Sequence, residues 1–145
     1  MHRNWLITRL QDYMPRDPHE RAMRDRMLDF VQTYADCFER SLSIGHITGS
    51  AWIVNPSRDK VLMTHHGKLN RWLQLGGHAD GDPQIDRVAL REAQEESGVD
   101  ATKLLSDRPF DLDIQEITPH KLDNENLNYD VRFLIEIDDM IPMRI

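Results

Sequence analysis

Gly76-Gly77-His78-Ala79-Asp80-Gly81-Asp82-Pro83-Gln84-Ile85-Asp86-Arg87-Val88-Ala89-Leu90-Arg91-Glu92-Ala93-Gln94-Glu95-Glu96-Ser97-Gly98-Val99 is the stretch that decides the fold. Glu92, Glu95 and Glu96 are spaced three and four apart, so on a helix they share roughly one face. A Glu-rich helical face is most often a solvated patch. Here the charges are bracketed by a Gly-Gly turn and Arg91 before them and by Gly98 and the apolar Val99 after them. The chain therefore specifies a loop, a helix and a stop around three carboxylates that repel one another. Such a cluster suits a hard cation, which takes oxygen ligands and completes its shell with water or substrate oxygens. Asp82 followed by Pro83 reads as an N-cap and first helical residue, predicting a helix from Pro83 onward.

Outward from this stretch the chain divides into a helical front section, residues 1–45, packed on a core domain, residues 46–145, with the join near Ser43 to His46. Asp17-Pro18-His19-Glu20 is a second helix start. Met23, Met27, Phe30, Val31 and Tyr34 follow at helical spacing and read as a core stripe. Residues 47–54 and 60–64 read as strands joined through Asn55-Pro56-Ser57-Arg58-Asp59, hence a hairpin. Asp111 to Ile117 and Val131 to Ile137 alternate apolar and polar residues and read as further strands. There is no repeat or low-complexity tract.

The composition narrows the class. At 145 residues, 39% hydrophobic and 30% charged, the chain fits one soluble globular domain with a single core. It has no apolar run long enough to span a membrane, and its opening residues lack a secretory signal. The single cysteine, Cys37, has no internal disulfide partner, so the expected location is cytoplasmic and the expected role of its thiol is packing. A net charge of −7 argues against binding a nucleic acid polymer. It leaves room for a nucleotide, because a bound divalent cation inverts the charge of an acidic site. His65 and His66 are adjacent on a strand, face opposite ways and do not form a zinc pair. His78 follows the glycines and either contacts substrate phosphate or faces solvent.

The stretch from Gly77 to Val99 resembles the signature of the Nudix hydrolases, G-x5-E-x7-R-E-U-x-E-E-x-G-U, where U is apolar. Gly77, Arg91, Glu92, Ala93, Glu95, Glu96, Gly98 and Val99 take their places in it. Pro83 is the one departure, standing where the family has Glu, with Asp80, Asp82 or Asp86 as the neighbouring acids. Trp72 to His78 and Tyr129 to Leu134 are similar to segments that flank the signature in one branch, so the likeness covers roughly residues 46 to 137.

The resemblance implies a Nudix-type α/β/α sandwich with a mixed sheet. It implies a Mg²⁺-dependent hydrolase, with Mn²⁺ as an alternative ion, that cleaves the pyrophosphate linkage of a nucleoside diphosphate joined to another group. By the same resemblance Glu95 and Glu96 are the principal metal ligands and Glu92 is a further ligand or the base. A backbone carbonyl of Gly76 or Gly77 is an extra ligand, and Arg91 orients Glu95. An acid or base from outside the signature is expected, with Glu116 first and His120, Asp123 or Glu125 next. Trp72 and Tyr129 either stack on a base or pack in the core. After Ile137 only a short tail remains, where the family continues through another strand and a helix. The uncovered sheet face is then expected to lie under the front helices, residues 5–38, or under a second copy in a homodimer. The alternative function is a Nudix-fold module that binds a nucleotide or a protein without turnover, motivated by Pro83 and the short ending. Nucleoside triphosphates, damaged nucleotides, nucleotide sugars and dinucleotide cofactors are all candidate substrates, since the signature recognises only diphosphate and metal.

Overall fold

The computed structural model describes residues 2–66, 71–73, 75–99, 102–116 and 127–137. Two helices, α1 (Asn4–Asp12) and α2 (Pro18–Thr33), precede β1 (Gly45–Val54), β2 (Val61–Leu62), β3 (Thr64–His66), β4 (Arg71–Leu73) and β5 (Leu75–His78). Then come α3 (Ile85–Ser97), β6 (Thr102–Leu104), β7 (Asp111–Glu116) and β8 (Leu127–Ile137). Among the described residues no helix is long and apolar enough to cross a membrane.

The spine of the sheet is the parallel pair β1–β8, in continuous register from Gly45 opposite Leu127 to Val54 opposite Glu136. β2 and β5 pair antiparallel with β1, and β6 and β7 antiparallel with β8, which makes the sheet mixed. β1 and β2 form the expected hairpin, with Ile53 opposite Leu62. The Asn55 side chain closes its turn by accepting from the backbone N–H groups of Asp59 and Lys60. The second expected strand is broken at Met63, and β3 leaves the hairpin to pair with β4 in a separate ribbon.

Local signals set the helices. Asp17 caps α2 by accepting from the Glu20 N–H at 2.8 Å, with Pro18 in the first turn. Met27, Phe30 and Val31 are buried, as the helical stripe predicts. α3 differs from expectation at its start: it opens at Ile85, not Pro83. Asp82 Oδ1 accepts from the Gln84 N–H at 2.9 Å, closing a side-chain turn ahead of the helix in place of an N-cap. It ends as expected at Gly98, whose φ of 71° is left-handed and whose N–H donates to the Gln94 carbonyl.

Paired residues on parallel strands project to the same side, so positions 47, 49, 51 and 53 share a face with 129, 131, 133 and 135. Ile47, Ala51, Ile53, Val131, Phe133 and Ile135 on that face are fully buried in the core. All three helices cover it. α3 crosses at Gly49, where a Cβ would stand 3.0 Å from the Ile85 carbonyl oxygen and 3.1 Å from Val88. Phe30 of α2 stacks on Tyr129 with ring centroids 4.0 Å apart, and Trp5 of α1 lies 6.3 Å from Phe133.

The α/β class, the mixed sheet and the N-terminal helical segment are therefore as expected. The front helices extend the α3 layer instead of covering the opposite face, and no helix covers that face among the described residues. On that face the even positions His46, Thr48, Ser50, Asp130 and Arg132 are polar, whereas Trp52, Val54 and Leu134 farther along the same strands are apolar. Residues beyond Ile137 lie outside the described set.

Candidate functional site

α3 buries Ile85, Val88, Ala89 and Ala93 against the sheet. That choice of face leaves its glutamates along the edge of β5. β5 pairs with β1 so that Ser50 is opposite Gly76 and Gly49 opposite Gly77. The two glycines answer two different crowdings. A Cβ on Gly77 would stand 2.7 Å from Glu92 Cδ and 2.9 Å from both its carboxylate oxygens. A Cβ on Gly76 would stand 2.5 Å from Ser50 Cβ. Only glycine lets a carboxylate settle on one side of this strand and β1 press on the other.

The Gly76 N–H donates to Glu96 Oε1 at 3.2 Å, tying the second carboxylate to the same backbone. Burial pushes the Glu96 carboxyl up to about 7, against the lowering effect of the Gly76 N–H. The neighbouring Glu92, by charge and by a hydrogen bond shared with Glu96, and the charge of Glu95 add to the rise. Glu92 and Glu96 are half-buried and together, whereas Glu95 is exposed. Among the described residues no three His, Cys, Asp or Glu side chains converge on one point that would hold a metal ion. The i, i+4 pair is thus gathered over the glycines, and the third carboxylate stands to its side. Two carboxylates brought together in this way are hard oxygen donors of the kind a divalent cation takes.

Arg91 requires a correction. Its Nη1 lies 3.7 Å from Asp82 Oδ2, and it makes no ion pair with Glu95. Helical side chains lean toward the N-terminus, which carries Arg91 back over the turn before α3 instead of forward to Glu95. This partially exposed, long-range pair is worth under about 1 kcal/mol.

Beyond the glycines, on the polar face of the sheet, lies a cleft of ≈ 450 Å³ bordered by Gly76, Gly77 and His78 and by residues of β1, β7 and β8. The diglycine backbone therefore has the glutamate pair on one side and the cleft on the other. Asp130 is buried and accepts from Thr48 Oγ1 at 2.9 Å and Ser50 Oγ at 2.7 Å. Burial raises its carboxyl, while the Ser50 hydroxyl, Arg132 and the Thr48 hydroxyl pull it down. Arg132 donates to Asp111 at 2.7 Å and Asp113 at 3.2 Å. Its Nε lies 3.4 Å from Asp130, too poorly aligned for a hydrogen bond. Sequence reading did not single out Asp130 and Arg132. The available signal was an Asp-x-Arg at alternate positions of a strand whose intervening residues, Tyr129, Val131 and Phe133, are apolar.

His78 lines this cleft beside His46, with ring centroids 4.8 Å apart. Burial lowers both imidazoles, His46 further through His78 and Arg40, and His78 further through Arg40. Both shifts favour the neutral imidazole. Tyr129 packs under Phe30 in the core, which settles its reading against base stacking. Cys37 is buried, and burial pushes its thiol to about 12, consistent with packing. Glu116 ends β7, with its side chain outside the described residues, as are those of His65, His66 and Trp72. His120, Asp123 and Glu125 also lie outside them.

No family model matches the chain, and no curated protein does. Among solved structures it is similar to a Nudix-family hydrolase from Clostridium perfringens, with 24% identity, a TM-score of 0.46, and 68% of this chain and 72% of that one covered. It is also similar to a bifunctional NMN adenylyltransferase/ADP-ribose pyrophosphatase from Francisella tularensis in complex with AMP and a Mn ion. That match has 14% identity, a TM-score of 0.45 and 85% coverage of this chain. A second structure of the bifunctional protein gives 15% identity and a TM-score of 0.47. The chain spans 36% of the bifunctional protein's length.

Proposed function

We propose that this chain is a Mg²⁺-dependent hydrolase of the Nudix type that cleaves the pyrophosphate linkage of a nucleoside diphosphate joined to another group. The observation that carries this reading is the Glu92–Glu96 pair settled on the Gly76–Gly77 backbone, with a polar cleft on the other side of that backbone. Glu92 and Glu96 would hold the ion, with Glu95 and a carbonyl of Gly76 or Gly77 as further ligands. Mn²⁺ presents the same hard, oxygen-seeking chemistry. When bound, such an ion neutralises phosphate oxygens and makes a bound water more acidic.

The chain's own residues do the positioning. The Gly76 N–H fixes Glu96, the fit at Gly77 fixes Glu92, and the cleft takes the organic part of the substrate. His78, and an acid from the segment after β7 such as Glu116, are proposed to complete substrate contact. In this reading the protein works in the cytoplasm on a small molecule. A homodimer stays a proposal.

A second reading, a Nudix-fold binding module without turnover, is favoured by Pro83 in place of an acidic residue and by the exposed position of Glu95. Nucleotide release from a panel of nucleoside diphosphate derivatives, measured with and without Mg²⁺, separates the two. The hydrolase reading expects metal-dependent release that falls by orders of magnitude in Glu96→Gln. Silence across the panel from folded, metal-binding protein selects the binding module.

A further inference from the structure

A second cavity, of ≈ 430 Å³, lies where the front section meets the core. One wall is the join of α1 and α2, with Met14 and Arg16. The other is the segment before β7, with Arg108 and Phe110. None of its lining residues borders the polar cleft, and neither Glu92 nor Glu96 is among them.

The two walls are held together. Arg9 donates from Nη2 to Asp107 Oδ2 at 2.7 Å and from Nε to the Asp107 carbonyl at 3.1 Å. Arg16 Nη2 donates to the Phe110 carbonyl at 2.6 Å. Behind them the buried Glu20 accepts from the Tyr13 hydroxyl at 3.0 Å and from the Arg16 N–H at 2.9 Å. A ligand entering a cavity braced in this way has little chain to order, which removes one cost of binding.

We propose that this cavity binds a small aromatic anion, with Met14 and Phe110 taking its ring and Arg108 and Arg16 its acid group. Two independent observations point to that ligand. The first is apolar exposure. Met14 is 83% exposed and Phe110 37%, and both line this one cavity. Large apolar side chains left open together mark a surface that buries something. A thioether beside a ring suits a flat aromatic occupant.

The second observation is charge. Among the described residues the exposed Arg108 side chain makes no ion pair or hydrogen bond. Arg16 Nη1 lies 3.6 Å from Asp111 and 3.8 Å from Glu20, beyond hydrogen-bond range of either, and its guanidinium stands 5.5 Å from the centre of the Phe110 ring. Arg9, Arg16 and Arg108 face Asp12 and Asp107, a formal +1 in a chain of net −7, and Asp107 is already engaged by Arg9. An uncharged ligand would leave Arg108 unanswered. An inorganic anion would leave Met14 and Phe110 in water.

Fluorescence titration of the full chain with anilinonaphthalene sulfonate, and with phenylnaphthylamine as the same skeleton lacking the sulfonate, tests the proposal. Saturable binding of the sulfonate that Mg²⁺ leaves unchanged is expected. Arg108→Gln should weaken the sulfonate about tenfold or more and phenylnaphthylamine by less than about twofold, because only the sulfonate loses a charged partner. Met14→Ser should weaken both probes about fivefold through lost apolar contact. Both side chains are exposed, so each variant should keep the wild-type melting transition; Arg108→Ala and Met14→Ala replace any that does not. No binding of the sulfonate, equal loss of both probes in the Arg108 variant, undiminished binding in both variants, or binding that Mg²⁺ alters would overturn the proposal. Turnover plays no part in the readout, so this site and the hydrolase reading stand or fall separately.

Discussion

On β1 and β8 the odd positions Ile47, Ala51, Ile53, Val131, Phe133 and Ile135 are sealed under three helices, whereas the even positions Thr48, Ser50, Asp130 and Arg132 hold hydroxyls and charges around a cleft. One pair of strands thus presents two different surfaces. The apolar face draws its stability from area removed from water, which is non-directional. The polar face depends on each donor meeting its acceptor, and it spends stability where partners are lacking. The fold comes from the first surface and the candidate substrate cleft from the second, joined at the glycine backbone of β5.

The largest expected effect breaks the apolar face. Phe133→Ala, at a fully buried position, should cost about 3–5 kcal/mol in denaturant unfolding. Thr48→Val on the polar face removes one of two hydroxyl donors to Asp130 and should cost only about 1–2 kcal/mol, because Ser50 remains. Comparable losses from the two variants would erase the distinction between the faces.

The next effect falls on the junction. Gly77→Ala pushes a methyl group against the Glu92 carboxylate. The flexible side chain can move, so the unfolding midpoint should hardly change. Its displacement from the pair should lower metal-dependent turnover by about 10–100-fold. Full activity in this variant would show that the fit of Glu92 on the glycine is irrelevant to function.

The smallest effect concerns pH. The Glu96 carboxyl is raised in the folded protein, from an ordinary 4.5 to about 7, by burial first and then by Glu92 and Glu95. The folded state therefore holds a proton that the unfolded chain releases between these values, and the carboxylate destabilises the fold above about 7. That penalty disappears as pH falls below the ordinary carboxylate range. Without divalent ions, Glu96→Gln should raise the melting temperature by about 2–4 °C at pH 8, allowing for solvent screening, and leave it unchanged near pH 4. A pH-independent difference would mean that Glu96 is not held out of water as described.

What was legible in the sequence followed from short-range rules. Asp17-Pro18 marked the start of α2, Gly98 the stop of α3, the Asn55 turn the β1–β2 hairpin, and the stripe at Met27, Phe30 and Val31 the inner side of α2. The Glu92–Glu96 pair was legible from its four-residue spacing, which brings side chains together on any helix. The parallel union of β1 and β8 was not, since nothing local states which distant strand will pair. The Asp130–Arg132 cluster was hidden for the same reason: its partners Thr48, Ser50, Asp111 and Asp113 come from two other strands. Arg91 was misread because spacing alone offered Glu95 and Asp82 was not weighed. The placing of the front helices on the α3 side was not legible either, because an apolar stripe says that a helix packs on a sheet but not on which face.

Glu92 and Glu96 over the Gly76–Gly77 backbone form the proposed divalent-cation site. Titrating the full chain with Mn²⁺, and following free ion by electron paramagnetic resonance, tests this without any assumption about substrate. Saturable binding that Mg²⁺ displaces is expected in the wild-type chain, weakened at least tenfold by Glu92→Gln combined with Glu96→Gln. Undiminished Mn²⁺ binding in the folded double variant would contradict it.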